Sequence, residues 1–128
     1  EELSAVDYSA IKSFFASSLG LRILSSPEVL REYEFTVALD AGEVYKQLSG
    51  ADAREKIMVD GKLDCAFLEN GAYVVVDYKT DRVKSSEELI ARYSGQLELY
   101  KTALEMCSGV RVSGAEIFSL ELSESICV

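Results

Sequence analysis

Asp64, Asp77 and Lys79 are the residues of this chain whose types and spacing invite chemistry. Val74-Val75-Val76 reads as part of a buried strand, yet it runs directly into Asp77-Tyr78-Lys79-Thr80. Asn70-Gly71 separates two strand-like runs, KIMVDGKLDCAFL (56–68) and AYVVVDYKT (72–80). Asn-Gly between such runs is the strongest short-range signal for a β-hairpin. A two-residue turn there sets Glu69 across from Ala72, Asp64 directly opposite Asp77, and Lys62 opposite Lys79. Directly opposed residues carry Cβ atoms about 4.5–5.5 Å apart. Lys79, two residues beyond Asp77, projects from the same face.

Two carboxylates opposed on a half-buried sheet repel each other and raise at least one pKa unless a cation lies between them. A divalent metal is the simplest compensation. Hard oxygen ligands of this kind suit Mg²⁺ or Mn²⁺, with water and a substrate phosphate completing the shell. A lysine beside such a metal can orient or deprotonate a water, or stabilise negative charge on a phosphoryl group under attack. The combination suits phosphodiester hydrolysis. The competing reading is structural: Asp64 and Asp77 salt-bridged to Lys62 and Lys79 across the hairpin. An acid-x-Lys triplet arises about once by chance in a chain of this composition, and Asp60-Gly61-Lys62 is a second instance. The triplet alone therefore decides nothing.

Composition narrows the field. The 128 residues, 48% hydrophobic and 27% charged, suffice for one packed domain and not for two. No run approaches the roughly 18 apolar residues a membrane-spanning helix needs. Cys65, Cys107 and Cys127 form no CxxC pair, which points to reduced thiols in a cytoplasmic protein rather than to zinc or iron–sulfur ligation. There is no histidine, so triads that use a histidine base are excluded within these residues. The net charge of −9 argues against a free-standing nucleic-acid binder. An acidic site that holds a divalent cation escapes that argument, because the cation supplies the positive charge facing a phosphate.

The elements that must position these groups follow from periodicity. Residues 7–24 carry Ile11, Phe14, Phe15, Leu19 and Ile23 at helical spacing, with an expected break at Gly20 and a stop at Pro27. Residues 31–39 alternate as a strand with Tyr33, Phe35, Val37 and Leu39 on one side. Residues 40–55 are polar and glycine-broken, with room for a short helical turn. Leu63, Cys65, Phe67, Val74, Val76 and Tyr78 are expected on one face of the hairpin, and Ala66, Leu68 and Val75 on the acid-bearing face. Both faces being apolar places the hairpin mid-sheet between helical layers. Residues 85–109 form a long amphipathic helix capped by Ser85 with Glu88 and ended by Gly109. Within it Tyr93, Gln96 and Tyr100 share a stripe. The tyrosines read first as packing residues, and Leu97, Leu104 and Met106 as core. A glutamine at the edge of that stripe needs a hydrogen-bond partner. A final strand is expected over 115–122. The fold class is α/β: a mixed central sheet with a central hairpin flanked by helices.

Gly61-Lys62-Leu63-Asp64, then Asp77-Tyr78-Lys79-Thr80, then Gln96 with Tyr100 follow the GxxD, DYKT and QxxxY pattern of RecB-type nucleases, which belong to the PD-(D/E)XK superfamily. The segments FFASSLGLRILSSPEVLREYEF, ARYSGQLELYKTALE and IFSLEL extend the similarity over essentially the whole chain. They resemble the C-terminal nuclease domains of the A subunits of bacterial AddAB-type helicase–nucleases. The resemblance implies a restriction-endonuclease-like core and a Mg²⁺-dependent DNA exonuclease domain, with Mn²⁺ as a substitute. It implies work on the single strand that emerges from a helicase motor during double-strand-break processing. It makes Asp64, Asp77 and the Tyr78 carbonyl metal ligands and Lys79 the catalytic lysine, with Gln96 and Tyr100 supporting the site. Glu32 falls where many relatives keep a further acid, although Glu34 is equally placed.

Two departures qualify this expectation. No GxxxxGK[ST] phosphate loop is present, so the motor is expected in another part of a longer chain. Relatives also carry an upstream Gly-Thr-x-x-His element, for which this chain has no histidine. Residues 1–128 are thus expected to be one nuclease domain excised from a protein of on the order of a thousand residues. Its partners would be the helicase region of that chain and a B-type nuclease subunit. In isolation it should bind metal weakly and cut poorly. The competing class is a degenerate nuclease fold kept as a docking or structural module, and a third reading is hydrolysis of RNA or a small phosphate ester.

Overall fold

The structure is a computed structural model that describes residues 3–80, 82, 84–120, 122 and 124–128, with backbone alone for residues 3–8 and 10. Among the described residues five strands form one mixed sheet in the order β1-β2-β3-β4-β5. β1 (Val29–Asp40), β2 (Lys56–Glu69) and β3 (Ala72–Lys79) make an antiparallel meander, β4 (Val112–Ser119) runs parallel to β3, and β5 (Glu124–Cys127) closes the edge antiparallel to β4. Helices α1 (Leu3–Ala16) and α2 (Ser18–Leu24) precede the sheet, and α3 (Ala41–Val44) and α4 (Gly50–Ala53) bridge β1 to β2. Helix α5 (Ser86–Ser108) carries the crossover from β3 to β4.

The hairpin register is the one its turn dictates. Glu69 pairs with Ala72 and Cys65 with Val76, with Asn70 and Gly71 both at positive φ (55° and 81°) as a primed two-residue turn requires. Helix α5 begins and ends on its expected residues. The Ser85 side chain accepts from the Glu88 amide, Glu88 Oε1 accepts from the Lys84 amide, and Gly109 (φ 72°) ends the helix in the left-handed region.

Two hydrophobic layers sandwich the sheet, as two apolar faces demand. On one side Leu89, Leu97, Ala103 and Leu104 of α5 pack on Phe35, Val37, Leu39, Leu63, Ala66, Val75 and Ile117. On the other, Phe14, Leu19 and Ile23 cover Cys65, Phe67, Val74, Val76 and Phe118. Arg22 of α2 fixes this second layer, donating two hydrogen bonds to Glu69 (2.9 and 2.8 Å) and one to the buried Glu116 of β4 (2.8 Å).

Several expectations are corrected. The break in the N-terminal helix falls at Ser17, whose side chain caps α2 by accepting from the Gly20 amide at 3.0 Å. Gly20 instead permits close approach: a Cβ there would lie 2.2 Å from the Phe14 carbonyl oxygen. Met106 is exposed rather than core, and two of the apolar residues at helical spacing in α1, Ile11 and Phe15, are exposed as well. Strand β4 covers Val112–Ser119, short of the expected end at 122, and residue 121 lies outside the described residues. β5 is a strand that periodicity did not reveal.

Leu63 also lies on the opposite face from the one expected. Below the hairpin, side-chain alternation reverses in β1 and β2 together. Leu30 of β1 and Ala66 and Leu68 of β2 face α5, whereas Val29, Cys65 and Phe67 face α1 and α2. Further from the hairpin the odd-numbered Tyr33, Phe35, Val37, Leu39, Val59 and Leu63 face α5. The reversal is centred on Glu32, a non-glycine residue at φ 48°, across from Asp64. The ladder passes from Arg31↔Cys65 to Tyr33↔Leu63 with neither Glu32 nor Asp64 registered as a pair.

Candidate active site

The site forms where β2 and β3 part. Their ladder ends at Cys65↔Val76, one step before Asp64 and Asp77. Beyond it the Asp64 carboxylate reaches across, and its Oδ2 accepts the Tyr78 amide hydrogen at 2.9 Å. Asp77 is 5% exposed. Its Oδ2 lies 2.8 Å from Lys79 Nζ on the same strand. That oxygen is fully enclosed and accepts no well-directed hydrogen bond among the described residues, so the contact is an ion pair by distance without hydrogen-bond alignment. Lys79 Nζ in turn sits 3.9 Å from the centroid of the Tyr93 ring of α5, a cation–π contact.

Electrostatics reflect this crowding. Burial pushes the Asp77 carboxyl up, Lys79 pulls it down and the neighbouring Asp64 pushes it up again, leaving it at about 6. For Lys79 burial acts to lower the pKa, but the pairing with Asp77 outweighs it and the net direction is up. Tyr100, whose phenol burial and the Asp77 charge raise, rests its ring edge-on against Phe35 at 5.6 Å. The Tyr78 ring points to the opposite layer, edge-on to Phe14 at 5.2 Å, which leaves its backbone beside Asp64.

The structure thus brings together Asp64, Asp77, the Tyr78 backbone, Lys79 and, through its electrostatic effect, Tyr100. It does not hold the Gln96 side chain at a buried edge: that group is exposed on α5. Nor does it turn the Glu32 carboxylate inward: that group is 77% exposed and pairs with Lys62 at 3.3 Å. Lys62 therefore pairs with Glu32, while the Asp77–Lys79 pair of the structural reading does form, along β3 rather than across the hairpin. Gly61 of the GxxD run lies beneath the Phe35 ring, where a Cβ would come within 2.4 Å. Tyr93, expected to be a packing residue, is the aromatic partner of Lys79. Its place in the stripe with Tyr100 was the available signal.

Among the described residues no three Asp, Glu, Cys or His side chains converge as a ready metal cage. The donor set is a carboxylate pair. It fits a hard divalent cation that takes two protein carboxylates and completes its shell with water and phosphate, and the enclosed, poorly satisfied Asp77 Oδ2 is an observation in its favour. A groove lined by Leu39, Val44, Ser94, Gly95, Leu99 and Thr102 lies elsewhere and holds none of these groups.

A mixed sheet between helical layers, an acid released at the end of a central hairpin, and an Asp-x-Lys on the next strand define a class. The chain belongs to the PD-(D/E)XK nuclease superfamily, whose sequence pattern matches residues 9–125. Three similar proteins are more particular, each being the A subunit of an ATP-dependent helicase/nuclease. The chain is 35% identical over 94% of its length to the protein of Geobacillus thermodenitrificans (strain NG80-2). It is 42% identical over 92% to that of Thermoanaerobacter sp. (strain X514), and 36% identical over 100% to that of Carboxydothermus hydrogenoformans (strain ATCC BAA-161 / DSM 6008 / Z-2901). The chain spans 10%, 10% and 11% of the length of these relatives. Among the described residues no helix is long and apolar enough to cross a membrane.

Proposed function

We propose that residues 1–128 form one nuclease domain within the A subunit of a helicase/nuclease, a Mg²⁺-dependent DNA exonuclease in which Mn²⁺ can substitute. The observation that carries this reading is the enclosed Asp77 Oδ2 beside Asp64 and Lys79. Asp64 and Asp77, with the Tyr78 carbonyl alongside, would hold the cation. When bound, such an ion polarises a phosphoryl oxygen and lowers the pKa of a bound water.

The chain's own groups then have distinct work. Lys79, its pKa raised by Asp77, stays an ammonium at neutral pH. It therefore donates hydrogen bonds and offsets charge on the attacked phosphate rather than taking a proton from water. The Tyr93 ring holds that ammonium at the end of β3. Tyr100 lies close enough to feel the acid pair, and Gln96, exposed one turn earlier on α5, is free to meet the strand.

The names of the relatives support a DNA substrate and a motor in the same polypeptide. In this reading the domain cuts the single strand delivered by that helicase region, beside a B-type nuclease subunit, during break processing in the cytoplasm. The test is one cleavage assay with single-stranded DNA, duplex DNA and RNA in competition, with Mg²⁺, on the full-length protein and its Asp77→Asn variant. Cleavage of single-stranded DNA that vanishes in the variant is expected. Cutting that survives the substitution, or a preference for RNA, sinks the reading.

A further inference from the structure

Glu32 is placed like a site residue by sequence, yet its carboxylate is 77% exposed and bonded to Lys62. What sets it apart is its backbone. At φ 48° it occupies the left-handed region, which disfavours residues with a side chain and above all β-branched ones. Alternation reverses at this point in both strands of the ladder: Tyr33 and Leu63 face α5, while the side of the sheet carrying Cys65 faces α1 and α2. Within the described ladder of β1 with β2, Glu32 and Asp64 are the positions passed over between Val29↔Phe67 and Asp40↔Lys56.

An unbroken ladder would commit Asp64 to strict alternation, with its side chain perpendicular to the sheet. The reversal frees it. Its carboxylate lies across the gap between β2 and β3, where Oδ2 accepts the Tyr78 amide and its charge reaches Asp77.

We propose that Glu32 is a positioning residue that acts through its left-handed backbone, not its carboxylate: its kink releases Asp64 from the β1–β2 ladder and aims it at Tyr78 and Asp77. The proposal rests on the nuclease reading for its purpose but not for its geometry. Any carboxyl function at position 32 is dispensable for the kink, whereas tolerance of positive φ is not.

The test compares Glu32→Gln, Glu32→Gly and Glu32→Val by NMR of the metal-free protein, following the Tyr78 amide, together with thermal unfolding. Glu32→Gln and Glu32→Gly should keep the Tyr78 amide shift and its exchange protection within about twofold. Glycine should also raise Tm, because it relieves a strained position. Glu32→Val should speed Tyr78 exchange at least about tenfold and weaken Mn²⁺ binding by a similar factor. The proposal is overturned if Glu32→Gln disturbs Tyr78 as much as Glu32→Val does, or if Glu32→Val leaves Tyr78 unmoved. Should the valine variant fail to fold, the glycine variant decides: a lowered Tm, as glycine gives in an ordinary strand, overturns it. If none of the proteins, wild type included, binds Mn²⁺, the nuclease reading falls while the Tyr78 result still decides the kink.

Discussion

Asp64 Oδ2 accepts the amide hydrogen of Tyr78 at 2.9 Å, so a side chain of β2 satisfies the backbone of β3 just where their ladder has ended. Asp64→Asn retains an acceptor oxygen and should change stability by less than about 1 kcal/mol. Asp64→Ala leaves the amide without that acceptor and should cost about 1–3 kcal/mol. Denaturant midpoints of the two variants check this, and equal stability would contradict it.

Asp77 makes a pH-dependent contribution whose sign follows from its raised pKa. The folded carboxyl titrates at about 6, against about 3.9 in an unfolded chain. Between these values the folded state holds the proton more tightly. The contribution is therefore fully present below about pH 4 and lost as pH rises through about 6. Urea midpoints of metal-free wild type and Asp77→Asn, compared from pH 4 to 7, should diverge accordingly: wild type loses stability relative to the variant as pH rises. A constant difference would show that Asp77 titrates normally.

Lys79 is asked to stabilise charge, not to bind the cation. Lys79→Met should reduce cleavage about 10²–10³-fold, the range for losing one electrostatic donor, while Mn²⁺ binding persists. Single-turnover cleavage and a metal titration on the same preparation separate the two effects. Loss of binding without a further loss of rate would assign Lys79 the wrong role.

Gly20 tests the helical layer independently of the site. Its added Cβ would meet the Phe14 carbonyl oxygen at 2.2 Å and the Phe15 Cα at 3.0 Å, and backbone does not yield as a flexible side chain would. Gly20→Ala should destabilise the protein by about 1–3 kcal/mol despite alanine's better helix propensity. Thermal unfolding measures it, and a stabilised variant would contradict the close approach of α1 and α2.

Local chemistry made part of this molecule legible. Asn70-Gly71 carries its own turn geometry, and that turn alone set Glu69 across from Ala72 and brought Asp64 to the level of Asp77. Ser85 and Gly109 bound α5 because capping is settled within a few residues. The parity reversal was hidden because glutamate is not a residue that announces positive φ, so strict alternation put Leu63 on the wrong face. The Arg22–Glu69–Glu116 cluster joins residues 47 and 94 positions apart, beyond any local pattern. Gln96 looked committed to a buried edge because its neighbours Tyr93 and Tyr100 are half-buried. The helix turns it outward, a rotation that spacing alone does not fix.

The most direct test of the account is calorimetric titration of Mn²⁺ into this protein beside its Asp64→Asn variant, which keeps the Tyr78 hydrogen bond but halves the charge of the acid pair. Weak, saturable binding to the wild type that disappears in the variant is expected. Equal binding to both proteins, or none to the wild type, would contradict a metal site built on Asp64 and Asp77.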